Sequence, residues 1–360
     1  MKKISIGTWA YSVGPYANNP IPFNDVVKGL RDMKFDGLEL GAFGAHPTPE
    51  NHPTLESRKA LRDFVNSSDL EFSGIAGDMW SEKLVNAEDG GEKYLATVRK
   101  NLEFARDLGI TLFRVDTVQP PELLATMDKN QAMDTVVRTW RKVCKMAADM
   151  GILVTWEFEP GFIFNRPSDI VTLVGAVGEK NFGAMFDTCH AYTCGVVGLR
   201  QTGGEKEVSP DGVLSLARKL RGKINAIQVI DCDGSLNEHQ TSTHNPMGEG
   251  NIDFPPVMKE LAANSGSPHD WWTIDLCFWP NAWPATQKCK TAVDQLNALV
   301  SNGGAPTAAG PAKAGGKAPA KPARKAKAKT KAKAKPKSKS KPKVKAKAKP
   351  AKKKAKKGRK

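Results

Sequence analysis

Along the first 300 residues, short β-rich runs alternate eight times with longer stretches whose apolar positions recur at helical spacing. The runs predict strands at Ile4–Thr8, Gly37–Leu40, Glu71–Ala76, Thr111–Asp116, Leu153–Phe158, Gly183–Asp187, Ala226–Asp231 and Trp272–Leu276. Between them the pattern predicts helices at Asn24–Met33, Leu55–Asn66, Glu92–Leu108, Ala132–Met150, Pro167–Val177 and Pro256–Ala263, and a last one at Thr286–Val300. Gly109 and Gly151 stand where helices should stop, since glycine tolerates the left-handed conformation that ends a helix. Eight βα units in one chain predict a single closed (β/α)8 TIM barrel over residues 1–300 rather than an open doubly wound sheet. No Gly-x-Gly-x-x-Gly follows the first run, which also counts against a dinucleotide fold. In such a barrel the catalytic groups stand at the C-terminal ends of the strands.

Those ends are acidic. The fifth strand runs into Glu157 and then Glu159-Pro-Gly, and the sixth into Asp187-Thr-Cys-His190. The seventh carries Gln228 and Asp231, and the eighth carries Asp275 within an aromatic segment. Strands five to eight are neighbours around half the barrel, so these groups should converge. Carboxylates converging in a concave site repel one another unless a cation sits among them. Oxygen donors suit Mn²⁺ or Mg²⁺, and an imidazole such as His190 would admit Co²⁺ or Zn²⁺. The loop after the seventh strand, with Asp231, Asp233, Glu238, His239, Thr241, Thr243 and His244, reads as a substrate lid that brings His244 towards the site. Trp9, Trp80, Trp156, Trp279 and Trp283 fall at or just beyond strand ends, where aromatic faces suit a sugar ring. His46 and His52 lie in a Pro-rich loop and are expected to be exposed, while Arg114 and Asp116 leave a structural and a functional reading equally open.

Asp187-Thr-Cys-His190, Gly248-Glu-Gly-Asn-Ile-Asp-Phe254, Phe35-Asp-Gly-Leu-Glu-Leu40 and Ala105-Arg-Asp-Leu-Gly109, in this order, resemble the xylose-isomerase-like sugar isomerase/epimerase family over roughly residues 3–298. The resemblance implies one divalent metal ion (Mn, Mg, Co or Zn) held by Glu157, Asp187, Gln228 and Asp275. Gln228 stands where the family has histidine, and Asp275 where it has glutamate. The resemblance further implies proton abstraction next to the carbonyl of a sugar or keto-sugar, with Glu157 and Asp275 as acid and base and His190 assisting. Substrate contacts would come from His190, His244, Trp9, Glu159 and Asp231. On the same scaffold a lyase or dehydratase, an apurinic-site endonuclease, or a catalytically inactive sugar-binding barrel are the other readings. Endonucleases of that family are rich in histidine, whereas this chain has six histidines.

Charge separates two regions. Of the 54 Lys and Arg, 24 lie within 301–360, which holds none of the 38 Asp and Glu, so the net +16 belongs to the tail and the body is acidic. The Lys/Ala/Pro-rich tail resembles those of linker histones, is expected to be disordered, and carries enough charge to bind nucleic acid or another polyanion without sequence preference. The acidic body has no compact cluster of basic residues for a phosphate, which favours an unphosphorylated substrate. Six cysteines without CxxC spacing, no signal-peptide pattern near Met1 and no long apolar run point to a cytoplasmic protein without membrane contact, with a tail suited to association with the nucleoid.

Overall fold

In the computed structural model, residues 1–264 and 270–301 are described. Eight parallel strands alternate with helices: β1 (Lys3–Ile6), α1 (Phe23–Asp32), β2 (Gly37–Ala42), α2 (Leu55–Asn66), β3 (Glu71–Gly77), α3 (Glu92–Leu108), β4 (Leu112–Val115), α4 (Lys129–Ala148), β5 (Leu153–Glu157), α5 (Pro167–Val177), β6 (Phe182–Asp187), α6 (Thr188–Tyr192), α7 (Gly212–Lys219) and β7 (Ile224–Val229). A hairpin of β8 (Asp231–Leu236) and β9 (Ser242–Asn245) follows, then α8 (Phe254–Asn264), the eighth barrel strand β10 (Trp271–Ile274) and α9 (Ala282–Ser301). The sheet runs β1-β10-β7-β6-β5-β4-β3-β2, and a parallel bridge between Gly7 and Glu39 brings its two edges together. This is the expected TIM barrel.

Alternation along each strand sorts the side chains between two cores. On β5, Val154 and Trp156 face the helices, where Trp156 packs 5.6 Å from Trp140, while Leu153 joins Leu112, Met185 and Ala226 in a separate apolar cluster. This cluster fills part of the barrel interior, and the polar groups stand at the C-terminal strand ends. Gly109 (φ 77°) and Gly151 (φ 70°) take the left-handed conformation expected at helix ends.

Three features differ from the sequence expectation. The segment after β7 is an antiparallel hairpin rather than an irregular lid, pairing Cys232 with His244 and Asp231 with Asn245. Two further helices, α6 and α7, lie between β6 and β7. Among the described residues no helix is long and apolar enough to cross a membrane. All six cysteines are unpaired. The tail expected at 301–360 lies outside the described residues apart from Ser301, the last residue of α9, and so does His269; polyanion binding and disorder of the tail therefore lie outside them as well.

Candidate active site

The polar strand ends meet in a cleft of about 400 Å³ at the C-terminal mouth of the barrel, a size that a small ligand fills. Glu157 ends β5, Asp187 ends β6, and Asp275 directly follows β10; all three are buried. One carboxylate oxygen from each lies within 4.8 Å of the others. Burial, reinforced by the neighbouring carboxylates, raises the carboxyls of Glu157 and Asp187 well above the usual range. Glu159, also buried and lining the cleft, is pushed up to about 7 for the same first reason, although Thr241 donates a hydrogen bond to it.

Each carboxylate is held by a specific partner. Arg114, at the end of β4, pairs through Nη2 with Oε2 of Glu157 and through Nε with Asp116 at 3.0 Å. Trp9 donates its indole N–H to Oδ1 of Asp275 at 2.5 Å. The indole can lie there because residue 7 is glycine, since a Cβ at Gly7 would stand 2.2 Å from the Trp9 ring. Asp187 caps α6 and accepts the His190 backbone N–H at 2.6 Å.

The hairpin brings a second histidine to the site. On β9, Ser242 and His244 point to one face and Thr243 to the other, as strand alternation requires. Ser242 Oγ lies 2.8 Å from His190 Nδ1 and fixes that ring, while His244 Nε2 lies 3.8 Å from Asp187 Oδ1. The two imidazoles meet edge to face at 4.9 Å. Burial pulls both below the usual histidine range, which favours the neutral imidazole, the form with a lone pair to offer.

Several buried atoms here have no hydrogen-bond partner: Glu157 Oε1, Asp187 Oδ2 and both ring nitrogens of His244. A buried polar atom without a partner is costly, and four in one place, all of ligand type, suit a cation. Asp187, His190 and His244 form a second donor trio with atoms within 4.8 Å. The residues therefore fit a divalent metal ion, with oxygen and nitrogen donors that Mn²⁺, Co²⁺ or Zn²⁺ accept.

Two expected site residues are engaged elsewhere. Asp231 does not line the cleft: its carboxylate accepts the backbone N–H groups of Cys232 (2.8 Å), Gly248 (3.0 Å), Gly250 (2.8 Å) and Ile252 (3.2 Å), latching the Gly248–Phe254 segment to the hairpin. A Cβ at Gly250 would stand 2.2 Å from Asp231 Oδ1, so this latch needs glycine. Gln228 lies deeper in the barrel and donates to Glu39 Oε2 at 3.0 Å, with its own Oε1 unpartnered. Glu39, pushed up to about 7 by burial, is a buried acid that the sequence patterns did not single out. The aromatic residues divide too: Trp9 and Trp80 line the cleft with Phe43, Phe162 and Phe278, whereas Trp156 packs beneath the helices and Trp283 against Tyr11 at 4.6 Å, with Trp279 against the apolar core. His46, expected at the surface, is buried, with Nε2 3.1 Å from the Ile21 carbonyl.

Known structures share this fold. D-psicose 3-epimerase from Clostridium cellulolyticum H10, solved with D-tagatose, is 14% identical with a TM-score of 0.63, covering 83% of this chain and 99% of its own. The probable 3-DHS dehydratase AsbF of Bacillus anthracis is 16% identical with a TM-score of 0.61, covering 81% and 98%. The IolI protein, solved with a zinc atom, is 15% identical with a TM-score of 0.61, covering 83% and 98%. Among curated protein sequences none matches. The sequence profile of one family spans residues 27–287, most of the barrel and nearly three quarters of the chain: by that match, the chain belongs to the xylose isomerase-like TIM barrel family.

Proposed function

We propose that the barrel is a metal-dependent sugar isomerase or epimerase that removes a proton next to the carbonyl of an unphosphorylated keto-sugar. The observation that carries this reading is the convergence of Glu157, Asp187, Asp275 and His244, with four unpartnered buried atoms, at the base of an aromatic-walled cleft. The similar fold of a D-psicose 3-epimerase supports the substrate class. Glu157, Asp187, Asp275 and His244 would hold the ion, His244 taking the place expected for Gln228. A divalent ion there would polarise the substrate carbonyl and so acidify the neighbouring C–H.

The protein's own groups then divide the work. Arg114 holds one oxygen of Glu157 and leaves Oε1 free to accept the proton. Asp275, oriented by Trp9, directly follows β10, which β6 and β7 separate from β5, and so acts from another wall of the cleft. Acid–base groups on two walls favour inversion at one carbon over transfer between carbons. His190 Nε2, 4.0 Å from Glu157 Oε1, is placed to hold a substrate hydroxyl. Trp9, Phe43 and Trp80 cover the apolar faces of the ring and keep water from the carbanion. Arg114 is the cationic side chain among those named in the cleft, and its pairing with Asp116 and Glu157 leaves little charge to recruit a phosphate.

Incubation with free ketohexoses and ketopentoses in D₂O tests this reading. Deuterium is expected to enter the substrate at one carbon beside the carbonyl, accompanied by the epimer. Absence of exchange with every unphosphorylated keto-sugar, in protein loaded with each of Mn²⁺, Co²⁺, Zn²⁺ and Mg²⁺, would contradict it.

A further inference from the structure

Cys277 stands on the chain leaving β10, two residues beyond Asp275, so the two side chains fall on the same side of the extended segment. Leu276 between them is fully buried in the opposite core. The other five cysteines are buried, whereas Cys277 is partly exposed and lines the cleft. Its Sγ, an oxygen of Asp275 and a ring nitrogen of His244 lie within 4.8 Å of one another, a spacing that one ion can bridge. His244 is the independent sign of a ligand: the residue is 4% exposed and neither ring nitrogen has a hydrogen-bond partner.

Resting on the metal centre proposed above, we infer that Cys277 is a thiolate ligand of that centre and biases it towards Zn²⁺ or Co²⁺. A site of carboxylates alone is hard and admits Mg²⁺ or Mn²⁺, and one sulfur beside an imidazole shifts the preference to softer ions. Binding replaces the S–H bond with a metal–sulfur bond and releases one proton to solvent. The thiol therefore sets which ion the barrel takes up, while the carboxylates set the acid–base chemistry.

Titration of the full-length metal-free protein with Co²⁺, followed by absorption, reads both claims separately. The visible d–d bands report that the ion is bound, and a near-ultraviolet thiolate-to-cobalt band reports sulfur ligation. In wild type both are expected. In Cys277→Ser the d–d bands persist, the charge-transfer band is lost, and Zn²⁺ affinity falls at least about tenfold, the lower bound for disturbing even an outer partner of a metal site. Cobalt binding without the charge-transfer band in wild type, or a band that survives in Cys277→Ser, overturns the thiolate and leaves the metal centre standing. Failure of wild type to bind Co²⁺ or Zn²⁺ at all overturns the metal centre and the thiolate together.

Discussion

Glu157→Gln is expected to lower kcat on the keto-sugar substrate by roughly a thousandfold, within the range that a positioned acid–base group contributes. The amide keeps the size of the side chain and can still accept from Arg114, so the change removes little but basicity and charge. Glu157 Oε1 is the unpartnered buried oxygen beside His190, and the other oxygen is committed to Arg114. Because the residue is also an expected metal ligand, the comparison belongs at saturating metal, where a fall in kcat with little change in KM isolates the proton-transfer step. Deuterium exchange from solvent should fall in parallel. Turnover within tenfold of wild type would place the base elsewhere, and Glu159, two residues further along and lining the same cleft, would be the residue to test next.

The second large effect concerns stability. Arg114→Leu is expected to destabilise the metal-free protein by about 3–5 kcal/mol, as for removing one partner of a buried ion pair. The guanidinium is buried between Asp116, at 3.0 Å, and Glu157, and among the pairs made by Glu157 it is the one with a permanent cation. Leucine leaves two carboxylates facing each other beside Asp187 and Asp275, and each must then protonate or repel. Added metal should restore part of the loss, since an ion at about 100 times its Kd contributes about 2.7 kcal/mol by linkage. Denaturant midpoints of wild type and variant, with and without Zn²⁺, give the four numbers needed. A loss under about 1 kcal/mol would mean that Arg114 is not what balances the acidic cluster.

The barrel was legible because its signals are local. Eight apolar runs, each bounded by turn residues, predict parallel strands buried on both faces, and Gly109 and Gly151 end helices as their type suggests. Glu157, Asp187, His190 and Asp275 were legible for the same reason, being polar residues at the ends of apolar strands. What was less legible depends on pairing between distant segments. The hairpin of β8 and β9 is polar, with sequences DCDGSL and STHN, and carries no apolar alternation to announce strands. Only its register places His244 against Asp187 and Ser242 against His190. Asp231 offered no local sign that it would bind four backbone N–H groups, because three of them arrive from 17 to 21 residues away. Gln228 and Glu39 lie 189 residues apart in sequence, and their pairing is a consequence of barrel closure.

The departures from the family pattern fit together in these terms. Glutamine at position 228 removes an imidazole from β7, and the barrel gives that amide to Glu39. An imidazole returns from the neighbouring hairpin as His244, on the side of the cleft shared with Asp275 and Cys277. In the proposed metal centre, the donor set has moved by one element of structure.

The most direct test of the central claim is the metal content of the full-length protein purified without chelator, measured by elemental analysis beside a Glu157→Gln/Asp187→Asn double variant. The account predicts about one divalent ion per chain in the wild type and a large loss in the variant. A wild-type protein that holds no divalent ion under any loading condition, or a variant that retains it fully, would contradict the metal centre and the chemistry built on it.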